Sequence, residues 1–365
     1  MKKTILFSIL IFLSSLLLSQ QTNEERDDKG SLSIDLESIS FIRNNEYLNP
    51  VTEGYTMIGF FIRPAIIYSP GKKFSLELGT HISGFAGAEG LNNPQLVFSS
   101  TWKIAPKTRF IIGTLDGSDL HRMEDPLFYK EKLYTDFTEN GFRFVNDYDR
   151  VFSDLWVNWE NYISKGDSVR ESFTAGLSFR YMPLKKAAIF SIEVPVSAIF
   201  KHYGGQISDY DAAAESYLNV SAGLRINADI ADGRAGRAGV EYTQYLYTEL
   251  TNSGNAGVTD GRASWIRLFY DFKYLSFCTS YWWSHDFFTP NGNPIYNSIS
   301  DHLQGVIVHD REMWNNSLFV KLNPGGYFEF LAGFETWYDR GFKRLDNSLT
   351  IHLRFDKLIN IRSSR

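Results

Sequence analysis

Between residues 217 and 228 the chain alternates without a break. Leu218, Val220, Ala222, Leu224, Ile226 and Ala228 hold the even positions; Tyr217, Asn219, Ser221, Gly223, Arg225 and Asn227 hold the odd ones. Successive side chains of a strand point to opposite faces, so this segment makes a strand with one oily face and one wet face. A soluble sandwich and a membrane barrel both use such strands. The choice between them rests on how often the pattern recurs, how long the strands run and what precedes them.

Residues 1–20 read as a secretory signal peptide. Lys2 and Lys3 give a positive start, residues 5–18 an apolar core, and cleavage is expected near 19–21. That core falls short of the roughly 20 residues a membrane helix needs, and no later run is longer. Cys278 is the only cysteine, which rules out both an intrachain disulfide and lipid anchoring after the apolar run. With no organised histidine partner in the sequence, it reads as a packing residue. An exported chain without a spanning helix is periplasmic, secreted or an outer-membrane β-barrel. The 37 basic and 42 acidic side chains, net -5, argue against nucleic acid as a partner. Aromatics at 16%, with 20 tyrosines, suit a membrane–water interface, where a ring is half buried and its polar tip stays wet.

Residues 21–30 form a short polar leader. From Ser31 onward period two recurs and no long 3.6-residue pattern is found. Candidate strands lie at 31–42, 55–68, 74–83, 95–104, 109–115, 142–146, 153–163, 172–181, 189–201, 217–228, 238–250, 262–274, 275–283, 314–322, 327–338 and 348–355, about sixteen in all. The patterns near Arg109, Phe142 and Leu275 are short, so 14 or 18 strands stay open. Pro195 removes a ladder hydrogen bond and suggests a bulge.

The connections sort by parity. Those at 69–73, 105–108, 147–150, 182–186, 229–236 and 323–326 are short and the alternate ones longer, 164–167 excepted. A sandwich has no reason to sort its loops this way, whereas outer-membrane barrels carry short periplasmic turns and long external loops. On this pattern residues 31–355 resemble a porin-like outer-membrane β-barrel, a transmembrane antiparallel up-and-down barrel. Closure would pair every strand edge, as lipid requires. The resemblance implies outer-membrane lipid, small polar solutes and the outer-membrane assembly machinery as partners; the oligomeric state stays open. Leu349, Ile351, Leu353 and Phe355 look like the family's C-terminal assembly signal, with 356–365 a periplasmic tail beyond it.

The wet face carries both charge signs. By parity Arg63, Lys103, Arg109, Arg180, Lys201, Arg225, Arg267, Lys273, Lys321 and Arg354 point inward, as do Glu77, Asp154, Glu160, Glu193, Glu241, Asp271, Glu329 and Glu335. A charge facing hydrocarbon is the costlier arrangement. One reading is a hydrated pathway with a transverse field that orients polar solutes. The other is an ion-pair network that fills or stiffens the lumen.

Residues 116–140 are the longest insertion before the second half of the chain. They hold seven acidic residues (Asp116, Asp119, Glu124, Asp125, Glu131, Asp136, Glu139) against Arg122, Lys130 and Lys132, which leaves -4. Leu127, Phe128, Tyr129, Leu133, Tyr134 and Phe137 give them apolar matter to pack with. In general porins the loop at this place folds into the barrel and narrows it. The resemblance therefore implies an acidic constriction facing inward Arg and Lys residues; the alternative is a solvated external lid.

Residues 284–312 carry His285-Asp286, Asp301-His302 and His309-Asp310. A His–carboxylate pair can activate water, and outer-membrane hydrolases place such groups at the rim, so a rim hydrolase is the rival reading. Sequence adjacency supplies no dyad geometry, and no zinc-ligand spacing is present, so neither metal nor cofactor is expected. Trp282, Trp283, Phe287, Phe288 and Tyr296 read as an aromatic girdle. The Gly-rich stretches 202–206 and 233–239 do not lie between a strand and a helix, so they are turns and not phosphate loops. The reading is a passive or substrate-selective pore without enzymatic activity, with a structural or partner-binding barrel of closed lumen as the third possibility.

Overall fold

The computed structural model describes residues 30–117, 120–184, 190–205, 207–210, 212–231, 235–251, 253–254 and 256–362. The expected signal peptide, the leader before Gly30 and Asp119 lie outside the described residues.

Sixteen antiparallel strands close into one barrel in which each strand pairs with its sequence neighbours and the first pairs with the last. The first half is β1 (Ser31–Glu46), β2 (Thr56–Gly71), β3 (Phe74–Phe85), β4 (Gln95–Ala105), β5 (Thr108–Asp116), β6 (Thr138–Asp147), β7 (Val151–Asn161) and β8 (Glu171–Leu184). The second half is β9 (Phe190–Gly204), β10 (Glu215–Asp229), β11 (Arg237–Glu249), β12 (Asp260–Phe272), β13 (Leu275–His285), β14 (Asp310–Leu322), β15 (Phe328–Asp339) and β16 (Arg344–Arg362). Closure leaves no free edge, so the backbone groups of every strand find partners on both sides.

The strands bury the wrong face for a water-soluble protein. On β10, Leu224 is 47% exposed, while Asn219 on the opposite face is 1% exposed. The same inversion runs round the wall: Ile58, Ile66, Leu78, Leu155, Leu246, Leu268 and Leu318 are exposed, while Glu37, Arg63, Asp154, Glu241 and Thr350 are buried. Apolar side chains facing outward need lipid to cover them, and polar ones facing inward need partners in the lumen.

Loop lengths follow parity, apart from the tight turn at 340–343. One end carries the connections 72–73, 106–107, 148–150, 185–189, 230–236, 273–274 and 323–327 together with the start of β1 and the end of β16. The other carries 47–55, 86–94, 117–137, 162–170, 205–214, 250–259, 286–309 and 340–343. The short connection expected at 164–167 is thus a longer loop, because β7 stops at Asn161 and β8 starts at Glu171. By the loop-length rule the first end is periplasmic and the second external.

Three expectations are corrected. β16 runs to Arg362 and stays paired with β1, as in Leu358 opposite Asp35, so 356–362 belong to the wall and not to a tail. Pro195 itself stands in register opposite Arg180; the expected irregularity falls one pair further on, where the β8–β9 register shifts between Tyr181 and Leu184, and on the β10 side the ladder skips Gly223 and Leu224 and resumes in the same register. A Cβ at Gly223 would stand 2.8 Å from the Tyr242 carbonyl oxygen and 3.3 Å from the Pro195 ring, so Gly223 has no room for a side chain. Third, of the proposed girdle only Trp283 is exposed among its tryptophans; Trp282, Phe287 and Tyr296 are buried.

Candidate functional site in the barrel lumen

Two external loops lie against the inner wall. The 117–137 loop opens with a tight turn at Leu120–Arg122, all three at positive φ, and closes with one helical turn at Lys132–Thr135. The 286–309 loop contains a second short turn, Pro294–Tyr296, started by the Asn293 side chain accepting from the Ile295 amide. Neither could fold alone. Each owes its shape to partners on the wall.

The first loop is fixed at five places. His121 is fully buried between two carboxylates, with Nε2 2.6 Å from Glu139 at the start of β6 and Nδ1 2.9 Å from Asp154 of β7. Arg143 of β6 also holds Asp154 at 2.7 Å, so two acids and two bases share one dry site. Burial alone would push the imidazole pKa down, but the Glu139 and Asp154 carboxylates outweigh it and hold the ring above its ordinary range. The ring stacks on Trp156, centroids 4.0 Å apart. Trp156 fits there because its β8 neighbour is Gly176, where a Cβ would come within 2.4 Å of the indole.

Glu124 pairs with Arg267 of β12 at 2.5 Å, and Arg267 also reaches Glu241 of β11 at 2.7 Å. Burial opposes ionisation of Glu124, but the guanidinium prevails and holds the carboxyl at about 2. Glu131 takes Arg43 of β1 at 2.9 Å, Asn45 at 3.3 Å and the hydroxyl of Tyr55. Lys130 stands 3.6 Å from Glu335 of β15, and the Tyr134 hydroxyl meets Nδ1 of His352 on β16 at 2.7 Å. Leu127 and Phe128 are buried beside Trp156, and Phe137 packs on Phe61 of β2.

The second loop is held by Arg311 of β14. This fully buried guanidinium donates to the carbonyls of Ile295 (2.5 Å) and Asn297 (2.8 Å) and pairs with Asp339 at 3.0 Å. Phe287, Ile295 and Tyr296 join Tyr245, Trp265, Trp282, Met313 and Trp337 from the inner wall in one apolar core. The loops also bind each other. The Tyr129 amide donates to the Asn291 carbonyl (2.9 Å), the Asn293 amide to the Asp125 carbonyl (2.9 Å) and the Asn293 side chain to the Asp125 carboxylate (2.8 Å).

The remaining wall charges are paired mainly with each other. Arg63 lies 2.8 Å from Glu77 and 3.6 Å from Glu37, Arg354 lies 2.6 Å from Glu37, Arg180 lies 3.5 Å from Glu193, and Arg225 lies 3.8 Å from Glu241. Arg109 and Asp116 sit exposed at the two ends of β5; the Asp116 carbonyl accepts from Arg143. Thus Glu124, Asp125, Glu131 and Arg267 come together with the loops, Arg63 and Arg354 form a separate group near β1, and Arg180 belongs to a third.

Among the described residues, cavities remain around the two loops. Two open at the external mouth: one of about 350 Å³ beside Lys132, Asp136, Glu160 and Lys201, and one of about 330 Å³ beside Tyr47, Tyr129 and Asp301. The third, about 220 Å³, lies in the lumen below the loops and is bounded by Lys130 and Tyr296; half-buried Cys278 lines it. At the outer rim the histidines pair with carboxylates across the β13–β14 connection. His285 binds Asp310 at 2.8 Å and lies 3.5 Å from its neighbour Asp286, His309 binds Asp286 at 2.6 Å, and His302 lies 3.0 Å from Asp301. Among the described residues no group of three or more His, Cys, Asp or Glu is placed to hold a metal ion.

His121, Arg43, Arg143 and Arg311 were not singled out in the sequence. Arg43 continues the wet parity of β1 beyond Ile42, so a longer first strand would have found it. His121 gives no local signal, because its partners lie 18 and 33 residues away.

A closed sixteen-strand antiparallel barrel with an oily exterior is an outer-membrane β-barrel of porin type. The family described as Lipid A 3'-O-deacylase-type matches residues 23–363, and the chain belongs to that family. No curated protein matches it by sequence. The fold is similar to OccK2 (OpdF) of Pseudomonas aeruginosa in complex with glucuronate, with 10% identity and TM-score 0.53 over 92% of this chain and 100% of that one. OprD of the same organism gives 11% and 0.53 over 94% and 100%. A BenF-like porin of Pseudomonas fluorescens gives 8% and 0.53 over 90% and 99%. At such identities the likeness concerns the fold alone.

Proposed function

We propose that the protein is a substrate-selective outer-membrane channel for small polar solutes, with the acidic loop 117–137 as its constriction. The observation that carries this reading is the Glu124–Arg267–Glu241 group. A loop carboxylate and a wall guanidinium meet inside the barrel beside the lower cavity, which Arg267 and Glu241 line. Paired opposite charges at a narrow point set up a transverse field, which orients dipolar solutes and disfavours apolar ones. The solved neighbours are porins and related channels, which agrees with this reading. Swelling of liposomes that contain the purified barrel tests it. Sugars and amino acids should enter and peptides should not; exclusion of all of them contradicts it.

A second reading is favoured by the family's name and by the crossed pairs at the rim. His285–Asp310 and His309–Asp286 are exposed beside the lipid-facing wall, where an imidazole oriented by a carboxylate could activate water against a lipid A ester. Mass analysis of lipid A from cells expressing the barrel separates the two. Loss of an acyl chain that disappears in His285→Ala or His309→Ala would establish the hydrolase.

A further inference from the structure

We infer that the lipid-facing wall of β13–β15 is a contact surface for a second copy of this chain, with Asn316 at the two-fold axis. The inference is independent of what the barrel carries.

Asn316 stands at the midpoint of β14. Its neighbours on the same face, Trp314 and Leu318, are 56% and 46% exposed, while Asn315 on the other face is buried against the Tyr296 hydroxyl. The Asn316 side chain is therefore aimed at hydrocarbon, at the level farthest from either headgroup layer. An amide brings two donors and an acceptor, and lipid tails satisfy none of them.

Gln244, the corresponding amide near the middle of β11, shows how this wall meets that cost. It accepts from the Tyr242 hydroxyl (3.0 Å) and from Ser264 of β12 (2.6 Å), and it donates to the Tyr245 carbonyl (3.2 Å). Asn316 has no such arrangement. Thr279 and Thr336 stand beside it in register, but the Thr279 hydroxyl accepts from the Trp314 indole at 2.8 Å, and no described residue bonds the Asn316 amide. Its partner has to come from outside the chain.

The surroundings have the form of a protein contact. The small row Thr279–Asn316–Thr336 lies between two rows of large side chains. Tyr281, Trp314 and Tyr338 form the one toward the external end, and Phe277, Leu318 and Phe334 the one toward the periplasmic end. Aromatic surface around a small, uncharged centre is typical of such contacts. An acyl chain can fill the trough between the rows but cannot bond the amide.

A second copy can. All copies insert with the same loops outward, so a closed pair is related by a two-fold axis along the membrane normal, and a residue at that axis meets its own counterpart. The amide is self-complementary: each Asn316 donates to the carbonyl oxygen of the other, which satisfies both without bringing charge. Because the strands tilt, the two β14 strands cross at this point and approach most closely at their midpoints.

Förster transfer between labelled full-length barrels in lipid vesicles, followed as the lipid-to-protein ratio is raised, tests this, with photobleaching steps counting the copies. The wild type should associate in pairs. Asn316→Leu, whose side chain suits a lipid-facing position, should keep the closed barrel's resistance to unheated dodecyl sulfate and weaken association about tenfold. In a Cys278→Ser background, Asn316→Cys should cross-link to itself under oxidation, whereas Leu155→Cys, exposed on the far wall, should not. Monomers at every ratio, assemblies of more than two copies, association that Asn316→Leu leaves unchanged, or equal cross-linking at both positions overturns the inference.

Discussion

Glu124 and Arg267 stand 143 residues apart in the chain and 2.5 Å apart in the lumen. The contact joins the 117–137 loop to β12, while the loop itself emerges between β5 and β6. One ion pair thus ties an external loop to the far wall of the barrel.

Removing the charge at 124 should release that tie. In Glu124→Gln the guanidinium keeps only Glu241, and the lumen gains one positive charge. Reversal potentials in a salt gradient should shift toward anion selectivity. The wild-type contact also has a pH signature. The folded carboxyl titrates near 2 against an ordinary value of 4.5, so its contribution is present above pH 4.5 and is lost as the pH falls toward 2. Conductance noise from a released loop should appear in that acid window in the wild type and at every pH in Glu124→Gln.

His121 should behave in the opposite sense. Its pKa is raised in the fold, so its stabilisation is complete below the ordinary value of 6.5 and is lost as the pH rises through the raised one. Protease cleavage within 117–137 should therefore increase on the alkaline side. His121→Ala leaves Glu139 and Asp154 buried with Arg143 alone, a loss of roughly 3–5 kcal/mol. It should make the loop cleavable at every pH while the barrel stays closed.

The loop–loop junction depends on a missing side chain. A Cβ at Gly292 would lie 2.0 Å from the Pro126 carbonyl oxygen, which is backbone and cannot step aside cheaply. Gly292→Val should part the loops at a cost of about 1–3 kcal/mol. Hydrogen exchange at the Tyr129 and Asn293 amides, both protected by inter-loop bonds, should accelerate; unchanged exchange would show that the two loops are held independently.

The outer face makes its own prediction. Leu224 lies near the centre of β10 on the lipid side. Leu224→Arg should cost about 2–4 kcal/mol in denaturant unfolding from lipid vesicles. A much smaller loss would mean that the residue does not face hydrocarbon.

Strand number, face and loop parity were legible because each strand must serve lipid and water at once. The alternation of 217–228 is that demand written in residues, and all sixteen strands fall where period two places them. The strand ends were less legible. Ile39 and Phe41 of β1 and Phe61 of β2 are apolar on the wet face, which breaks the alternation. They are wet-face residues covered by Tyr134 and Phe137 of the loop, so the fault in the pattern was itself the mark of something packed inside. The same holds for Tyr245, Trp265, Trp282 and Trp337 under the second loop. The 286–309 loop looked like a rim segment because its histidines drew the eye. Phe287, Ile295 and Tyr296, which carry its burial, have no periodicity to betray a direction. Long-range clamps such as His121 between Glu139 and Asp154 are invisible to local pattern, because nothing near the histidine differs from an ordinary polar loop.

Single-channel recording in planar bilayers tests the account most directly, on the wild-type chain and on one lacking residues 124–137. The deletion removes Glu124, Asp125, Lys130 and Glu131, and with them most of the loop's hold on the lumen. The account predicts small discrete openings from the wild type and a severalfold larger conductance from the deletion. A silent wild type together with a silent deletion, or equal conductance from both, would contradict it.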